Sequence, residues 1–188
     1  LSTQVVGRTR EVELVLAALA ADRHVLLEGP PGTGKSTLLR AVAHGLGIGF
    51  EFADELASRG MDLVLVARDK ARLDTISREL TDRYQITVEV LPADLAIREQ
   101  LELVANRASQ QDIELVVNNA GFGLNESFFE DDVESEQYLL DVLVIAVMRI
   151  THAAMPGMIA RDLGGVINVS SIAGWMTSGT YSATKSWV

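Results

Sequence analysis

Residues 61–80 read MDLVLVARDKARLDTISREL, and the change of rhythm inside them decides the fold class. The first seven, MDLVLVA, form an unbroken Val- and Leu-rich run, the composition of a strand covered on both faces. From Asp69 the period lengthens. Leu73, Ile76 and Leu80 recur at helical spacing, and Asp69 stands where a side chain caps the first free N–H groups of a helix reaching Arg83. Downstream the alternation repeats. ITVEVLPADL (86–95) is a strand and its exit, 98–108 a helix, and IELVVN (113–118) a strand. An acidic helix start follows, with Glu130, Asp131, Asp132, Glu134 and Glu136 forming a solvated N-terminus favoured by the helix dipole. A long apolar helix then runs to about Ile159. GGVINVS (164–170) is the next strand, and a last helix begins near Tyr181. Strands alternating with helices in this way predict a three-layer α/β fold, a Rossmann-like doubly wound parallel sheet.

The bulk composition narrows the function classes. Of 188 residues, 48% are apolar and 22% charged, ordinary values for a globular chain. A net charge of −10 disfavours nucleic acid and anionic membrane as partners. The absence of cysteine excludes disulfides, a thiolate nucleophile and Cys-ligated metal, and His24, His44 and His152 show no metal-ligand spacing. The longest nearly apolar run, Leu139 to Met148, contains Asp141 and falls short of the ~20 residues a membrane span needs. No signal peptide opens the chain, so a cytoplasmic location is expected. The first residue is Leu rather than Met, which points to a piece of a longer reading frame.

Upstream, HVLLE (24–28) is a short apolar strand that runs into Gly29-Pro30-Pro31-Gly32-Thr33-Gly34-Lys35-Ser36, a complete G-x-x-x-x-G-K-[ST] loop. Gly29, Gly32 and Gly34 let successive backbone N–H groups, that of Thr33 among them, turn inward around phosphate oxygens. Lys35 would neutralise the β/γ charge and Ser36 would ligate magnesium, so ATP–Mg is a candidate ligand. With VVGRTREVELVLAALAADR before it, this stretch resembles the N-terminus of MoxR-type AAA+ ATPases over residues 4–50, and the resemblance implies adenine contact at Val6-Gly7-Arg8. Hydrolysis would need a carboxylate at the end of a later strand. Those strands end in Ala67-Arg68, Leu91-Pro92, Asn118-Asn119 and Ser170-Ser171, so nucleotide binding without hydrolysis is the expectation for this segment.

Four motifs carry the rest. Asn118-Asn119-Ala120-Gly121 follows one strand, and Ala93-Asp94-Leu95 ends another. Asn168-Val169-Ser170-Ser171-Ile172-Ala173-Gly174 ends a third, and Tyr181-Ser182-Ala183-Thr184-Lys185 opens the last helix. Together, from about Gly47 onward, they resemble the short-chain dehydrogenases/reductases. The resemblance implies Ser171, Tyr181 and Lys185 as the catalytic set. It implies a dinucleotide held by Gly47, Gly49, Asp94, Leu95, Asn118, Ala120 and Gly121, with Tyr181 and Lys185 at the nicotinamide ribose. A hydride delivered to a carbonyl requires a proton donor at the developing alkoxide. A tyrosine with a free pKa of ~10 needs help to serve at neutral pH, and a lysine four residues on lies on the same helix face. Arg68 stands where an acidic residue would take the NAD ribose hydroxyl; a guanidinium suits a 2′-phosphate, which favours NADP(H) over NAD(H).

The chain also departs from that pattern. The family's T-G-x-x-x-G-I-G loop falls on Val42 to Gly49, where only Gly47-Ile48-Gly49 survives, and Gly45, Gly47 and Gly49 read instead as a helix break. Leu143 occupies the place of an asparagine that supports a proton-relay water. Ser171 and Tyr181 are only ten residues apart, and the chain stops three residues after Lys185, leaving the sheet incomplete at its C-terminal edge. Since a sheet of this class keeps its first strand in the middle, His24–Leu27 is expected to fill that slot. The organisation read from the sequence is therefore a P-loop fragment over 1–48 joined to a partial dehydrogenase domain over 49–188, sharing one sheet. The functional expectation is an NADP(H)-dependent oxidoreductase acting on a small carbonyl or alcohol. The resemblance adds a homo-oligomer packed through the helix at Leu139–Met148. The alternative is a P-loop nucleotide-binding module without hydrolysis.

Overall fold

The structure, a computed structural model, describes residues 48–124, 128–177 and 179–188. The expected strand His24–Leu27, the phosphate loop Gly29, Gly32, Thr33, Gly34, Lys35 and Ser36, and the glycines Gly45 and Gly47 lie outside those residues. The chain divides into two units after Phe52, and the fold below is that of Ala53–Val188.

Helix α1 (Ile48–Ser58) leads into β1 (Leu63–Ala67), α2 (Lys70–Tyr84), β2 (Val88–Pro92), α3 (Arg98–Ala108) and β3 (Leu115–Asn118). Then come α4 (Val133–Leu140), a π-helical stretch (Asp141–Ala146) and α5 (Val147–Arg161). The chain continues through β4 (Gly165–Asn168), a 3-10 turn (Ile172–Trp175) and α6 (Gly179–Trp187). Gly49 thus sits in the first turn of α1, while Gly45 and Gly47, the other glycines read as a helix break, lie outside the described residues. A glycine is tolerated there because the first turn has no intrahelical N–H bonds to lose.

Local chemistry sets the boundaries. Asp69 caps α2, its carboxylate accepting from the Arg72 N–H at 3.0 Å. The helix ends at Gln85, whose φ of 59° is left-handed and whose N–H returns to the Thr81 carbonyl. Asp132 caps α4 in the same manner, accepting from the Ser135 N–H at 2.7 Å. That bond holds the Asp132 carboxyl below its usual pKa. Glu130, Asp132 and Glu134 are exposed, as their composition implied, but Glu136 is 8% exposed, a correction to the reading of the whole run as solvated: it lies on the face of α4 that also buries Leu139.

β1 pairs with β2 in parallel, Leu63 opposite Val88 through Ala67 opposite Pro92. β3 pairs with β4 in parallel, Leu115 opposite Gly165 through Asn118 opposite Asn168. Among the described residues these are two separate two-stranded sheets. Successive strand residues face opposite sides. Leu63, Leu65 and Val88 pack with Ala53 and Ala57 of α1 and Leu80 of α2. Val66, Leu91 and Val116 pack against Leu101 and Val104 of α3 and Ala146, Ile150, Ala154 and Met158 of the long helix. Helices therefore cover both faces, and the unit is a Rossmann-like α/β structure.

The run from Val133 to Arg161 is one continuous helical rod of 29 residues, with a mean hydropathy of 1.7 over its most apolar window. By length and composition it could cross a membrane, which corrects the shorter reading of Leu139–Met148. Its inward residues Leu139, Leu143, Ala146, Ile150, Ala154 and Met158 are buried within the fold, and burial along one face is the signature of a core helix.

Candidate active site

The loops that leave the four strands carry the polar side chains singled out from the sequence. Asn118 ties two strand ends together. Its amide nitrogen donates to Thr151 Oγ1 at 3.0 Å and to Asn168 Oδ1 at 2.8 Å. Both amide hydrogens are taken within the protein, so the Asn118 side chain steadies β3 against β4 and α5. Just beyond it, Ala120 and Gly121 are exposed. A Cβ at Gly121 would fall 2.7 Å from Leu143 Cδ2 and 3.6 Å from Lys185 Nζ. Leu143 is only 1% exposed. The place of the relay asparagine is filled by a buried aliphatic side chain, inside a π-helical stretch, a local form that recurs at functional sites.

Ser171 opens the 3-10 turn, its hydroxyl oxygen accepting from the Ala173 N–H at 3.2 Å. That contact uses a lone pair, and among the described residues no acceptor takes the Ser171 O–H. The turn docks closely on α6. A Cβ at Gly174 would meet the Lys185 carbonyl oxygen at 2.8 Å. Ser170 and Ser186 fasten the same contact, their hydroxyls donating to the Lys185 and Gly174 carbonyls. This close docking is how a ten-residue separation between Ser171 and Tyr181 is accommodated. α6 begins at Gly179, whose φ of +70° suits glycine, and it carries Tyr181 and Lys185 one turn apart. Lys185 is 8% exposed, its ammonium donating to the Val169 carbonyl at 2.8 Å at the exit of β4. Burial lowers its pKa from the usual lysine value.

At the other end of the crevice, Arg68 follows β1 and Asp94 follows β2. The Arg68 guanidinium donates to the Tyr138 hydroxyl at 2.8 Å, and that hydroxyl lies 3.0 Å from each carboxylate oxygen of Asp94. Asp94 is held in turn by the Ala96 N–H at 3.0 Å and by its own N–H donating to Gln100 Oε1 at 2.7 Å. Leu95 packs on the core beneath. Burial and the Asp94 carboxylate raise the Tyr138 pKa, with Arg68 pulling the other way.

The short chain dehydrogenase family matches residues 41–188. The chain belongs to the short-chain dehydrogenases. A second family, the MoxR domain in the MoxR-vWA-beta-propeller ternary systems, matches residues 1–59, so the two overlap on 41–59. An uncharacterised oxidoreductase of Staphylococcus saprophyticus is 31% identical over 147 residues, covering 76% of this chain and 63% of that protein. The very-long-chain 3-oxoacyl-CoA reductase of Anas platyrhynchos is 30% identical over 166 residues, covering 84% of this chain and 53% of its own. A short-chain dehydrogenase from Sphingobium yanoikuyae, solved in complex with NADPH, superposes with a TM-score of 0.73 at 33% identity, covering 78% of this chain and 59% of that one. This short-chain dehydrogenase thus spans between half and two thirds of the length of those proteins.

Sequence reasoning on this short-chain dehydrogenase missed three groups. Thr151 and the Val169 carbonyl carried no signal, since one reads as a helix residue and the other is backbone. Tyr138 had one: it is the only aromatic residue in 133–140, and aromatic hydroxyls usually find a partner when buried.

Proposed function

We propose that this short-chain dehydrogenase is an NADP(H)-dependent oxidoreductase that interconverts a small carbonyl and its alcohol. The observation that carries the reading is the docking of α6 on the exit of β4, where buried Lys185 donates to the Val169 carbonyl and accepts from Ser170, the neighbour of Ser171; Tyr181 precedes Lys185 by one turn of the same helix. The residues fit a phosphorylated dinucleotide: a guanidinium at Arg68 to donate to the 2′-phosphate, a carboxylate at Asp94 to accept from an exocyclic amine, and the exposed, side-chain-poor backbone of Ala120-Gly121 to let the cofactor approach. NADPH would supply the hydride to the carbonyl carbon. Tyr181 gives its phenolic proton to the developing alkoxide oxygen. The Lys185 ammonium, one turn away, favours the phenolate that remains. Ser171, whose oxygen accepts from the Ala173 N–H, donates its O–H to the substrate oxygen and orients it. The NADPH complex of the Sphingobium yanoikuyae relative supports the choice of cofactor.

The organisation proposed with it keeps the division at 48/49. His24–Leu27 then supplies the strand between β1 and β3, and the loop Gly29–Ser36 lies where the dinucleotide pyrophosphate belongs, at a helix N-terminus. Exposed Ile145, Met148, Met155 and Ile159 on the long helix support a homo-oligomer, and a cytoplasmic location is proposed with it.

The test is NADPH oxidation by the full chain over a panel of ketones, with Tyr181→Phe beside it. Loss of one general acid is expected to slow turnover at least ~100-fold, and turnover indifferent to the substitution would overturn the catalytic assignment. Retention of Mg–ATP with no NADPH oxidation would favour the second reading, a P-loop nucleotide-binding module without hydrolysis, for which the Gly29–Ser36 motif and the match over residues 1–59 argue.

A further inference from the structure

Three loops from three different strands meet on one side chain. Tyr138 projects from α4, and no catalytic motif includes it. Its hydroxyl touches Arg68 after β1 and Asp94 after β2, and its ring lies 5.4 Å from that of Phe122, centroid to centroid, in the loop that leaves β3. The Arg68 guanidinium also lies 5.9 Å from the Tyr138 ring centroid.

The hydrogen-bond directions are fixed by chemistry. Arginine can only donate and an ionised carboxylate can only accept. The one phenolic proton of Tyr138 therefore goes to Asp94, shared between its two oxygens, while a phenolic lone pair receives Arg68. The hydroxyl stands between opposite charges and keeps them from closing on each other. Among the described residues one guanidinium N–H is engaged and four remain, enough for a bidentate grip on a phosphate. Asp94 Oδ1 already receives the Ala96 N–H, and acceptor capacity is left on Oδ2 for an exocyclic amine.

We propose that Tyr138 is a positioning residue for the adenosine 2′-phosphate end of the dinucleotide, its hydroxyl holding Arg68 poised for the phosphate while keeping it off Asp94. This rests on the reading of the protein as NADP(H)-dependent. Without the hydroxyl, exposed Arg68 either collapses onto Asp94 in a direct ion pair or loses its restraint. Each outcome weakens phosphate binding. NADH, which lacks the 2′-phosphate, makes no use of the poised guanidinium and feels the change far less.

The experiment compares full-length wild type with Tyr138→Phe, alone and in an Arg68→Met background. Dissociation constants are measured calorimetrically for NADPH, NADH, adenosine 2′,5′-bisphosphate and adenosine 5′-monophosphate. The last two report on the adenine end without involving hydride geometry. Phe retains the ring contact with Phe122, so the unfolding midpoint is expected to stay in place. The expected result is about tenfold weaker binding of NADPH and of the bisphosphate, roughly one charge-assisted hydrogen bond in worth. NADH and the monophosphate should change less than about threefold. In Arg68→Met the same Tyr138 substitution should leave the NADPH/NADH ratio where it is. A wild-type preference for the 2′-phosphate that survives Tyr138→Phe overturns the role of Tyr138 alone. A wild type with no such preference overturns the NADP(H) reading and the proposal that rests on it. A loss of affinity equal for all four ligands also overturns the proposal, since it marks a merely structural residue.

Discussion

Gly121 and Leu143 approach each other closely in the crevice, and they set each other's identity. An alanine at 121 would place its Cβ 2.7 Å from Leu143 Cδ2, inside van der Waals contact. Leu143 is buried and has little room to withdraw. The substitution Gly121→Ala is therefore expected to cost about 1–3 kcal/mol, the usual price of overpacking. Leu143→Ala alone should cost about 2–5 kcal/mol as a cavity. In the double variant the new methyl group enters the space that leucine left, so the sum should fall short of the two single losses by about 1 kcal/mol or more. Urea unfolding of the four proteins measures this. Strictly additive losses would mean that the close approach does not exist. The same pair bears on chemistry, since the apolar Leu143 side chain offers no hydrogen bond to a relay water beside Lys185.

At the scale of elements, the decisive contact is α6 against the turn and strand exit that precede it. Lys185 is buried there and its pKa is lowered by desolvation. Between the lowered folded-state value and the ordinary lysine value the unfolded chain binds more protons than the folded one, so stability rises with pH through that window. Below it the full cost of burying the ammonium is present. Relative to wild type, Lys185→Met should be at its most favourable at neutral pH and lose ground as the solution becomes alkaline. Chemical unfolding of both proteins from pH 7 to 10.5 checks the sign, and a difference that does not change with pH would contradict it. The elements themselves were largely legible. The span of α3 and the Asp69 cap follow directly from apolar spacing and capping chemistry, because both are local. The π-helical stretch was not, since DVLVIA has no feature that separates a widened turn from an α-helical one. Nor was Tyr138, whose partners lie 70 and 44 residues away along the chain. Ser171, Tyr181 and Lys185 were readable as a motif, but what holds them, the Val169 carbonyl and the Gly174 approach, is backbone geometry that side-chain patterns do not encode.

At the scale of the whole molecule, two parallel strand pairs lie in one unit, and each presents a second edge. Leu63 donates to Thr87 and Ala67 accepts from Ala93, so the odd-numbered residues of β1 face β2 and the N–H groups of Val64 and Val66 face the other way. On β3, the carbonyls of Glu114 and Asn118 accept from Gly165 and Val169, which leaves the Val117 N–H on the edge away from β4. Buried backbone donors are rarely left unpaired. The proposed place of His24–Leu27, between these edges, therefore makes a claim about particular amides. In the full chain, Val64, Val66 and Val117 should exchange their amide hydrogens slowly, as members of a continuous ladder. Leu26→Asp puts a carboxylate into the slot and should destabilise the unit by about 3 kcal/mol or more, an uncompensated buried charge being among the costliest changes. Exchange at those three amides should then accelerate more than at Leu65, which faces β2. Fast exchange at Val64, Val66 and Val117 in the unaltered chain would leave the slot without this strand, and the overlap of the two family matches on residues 41–59 would then join segments that share no sheet.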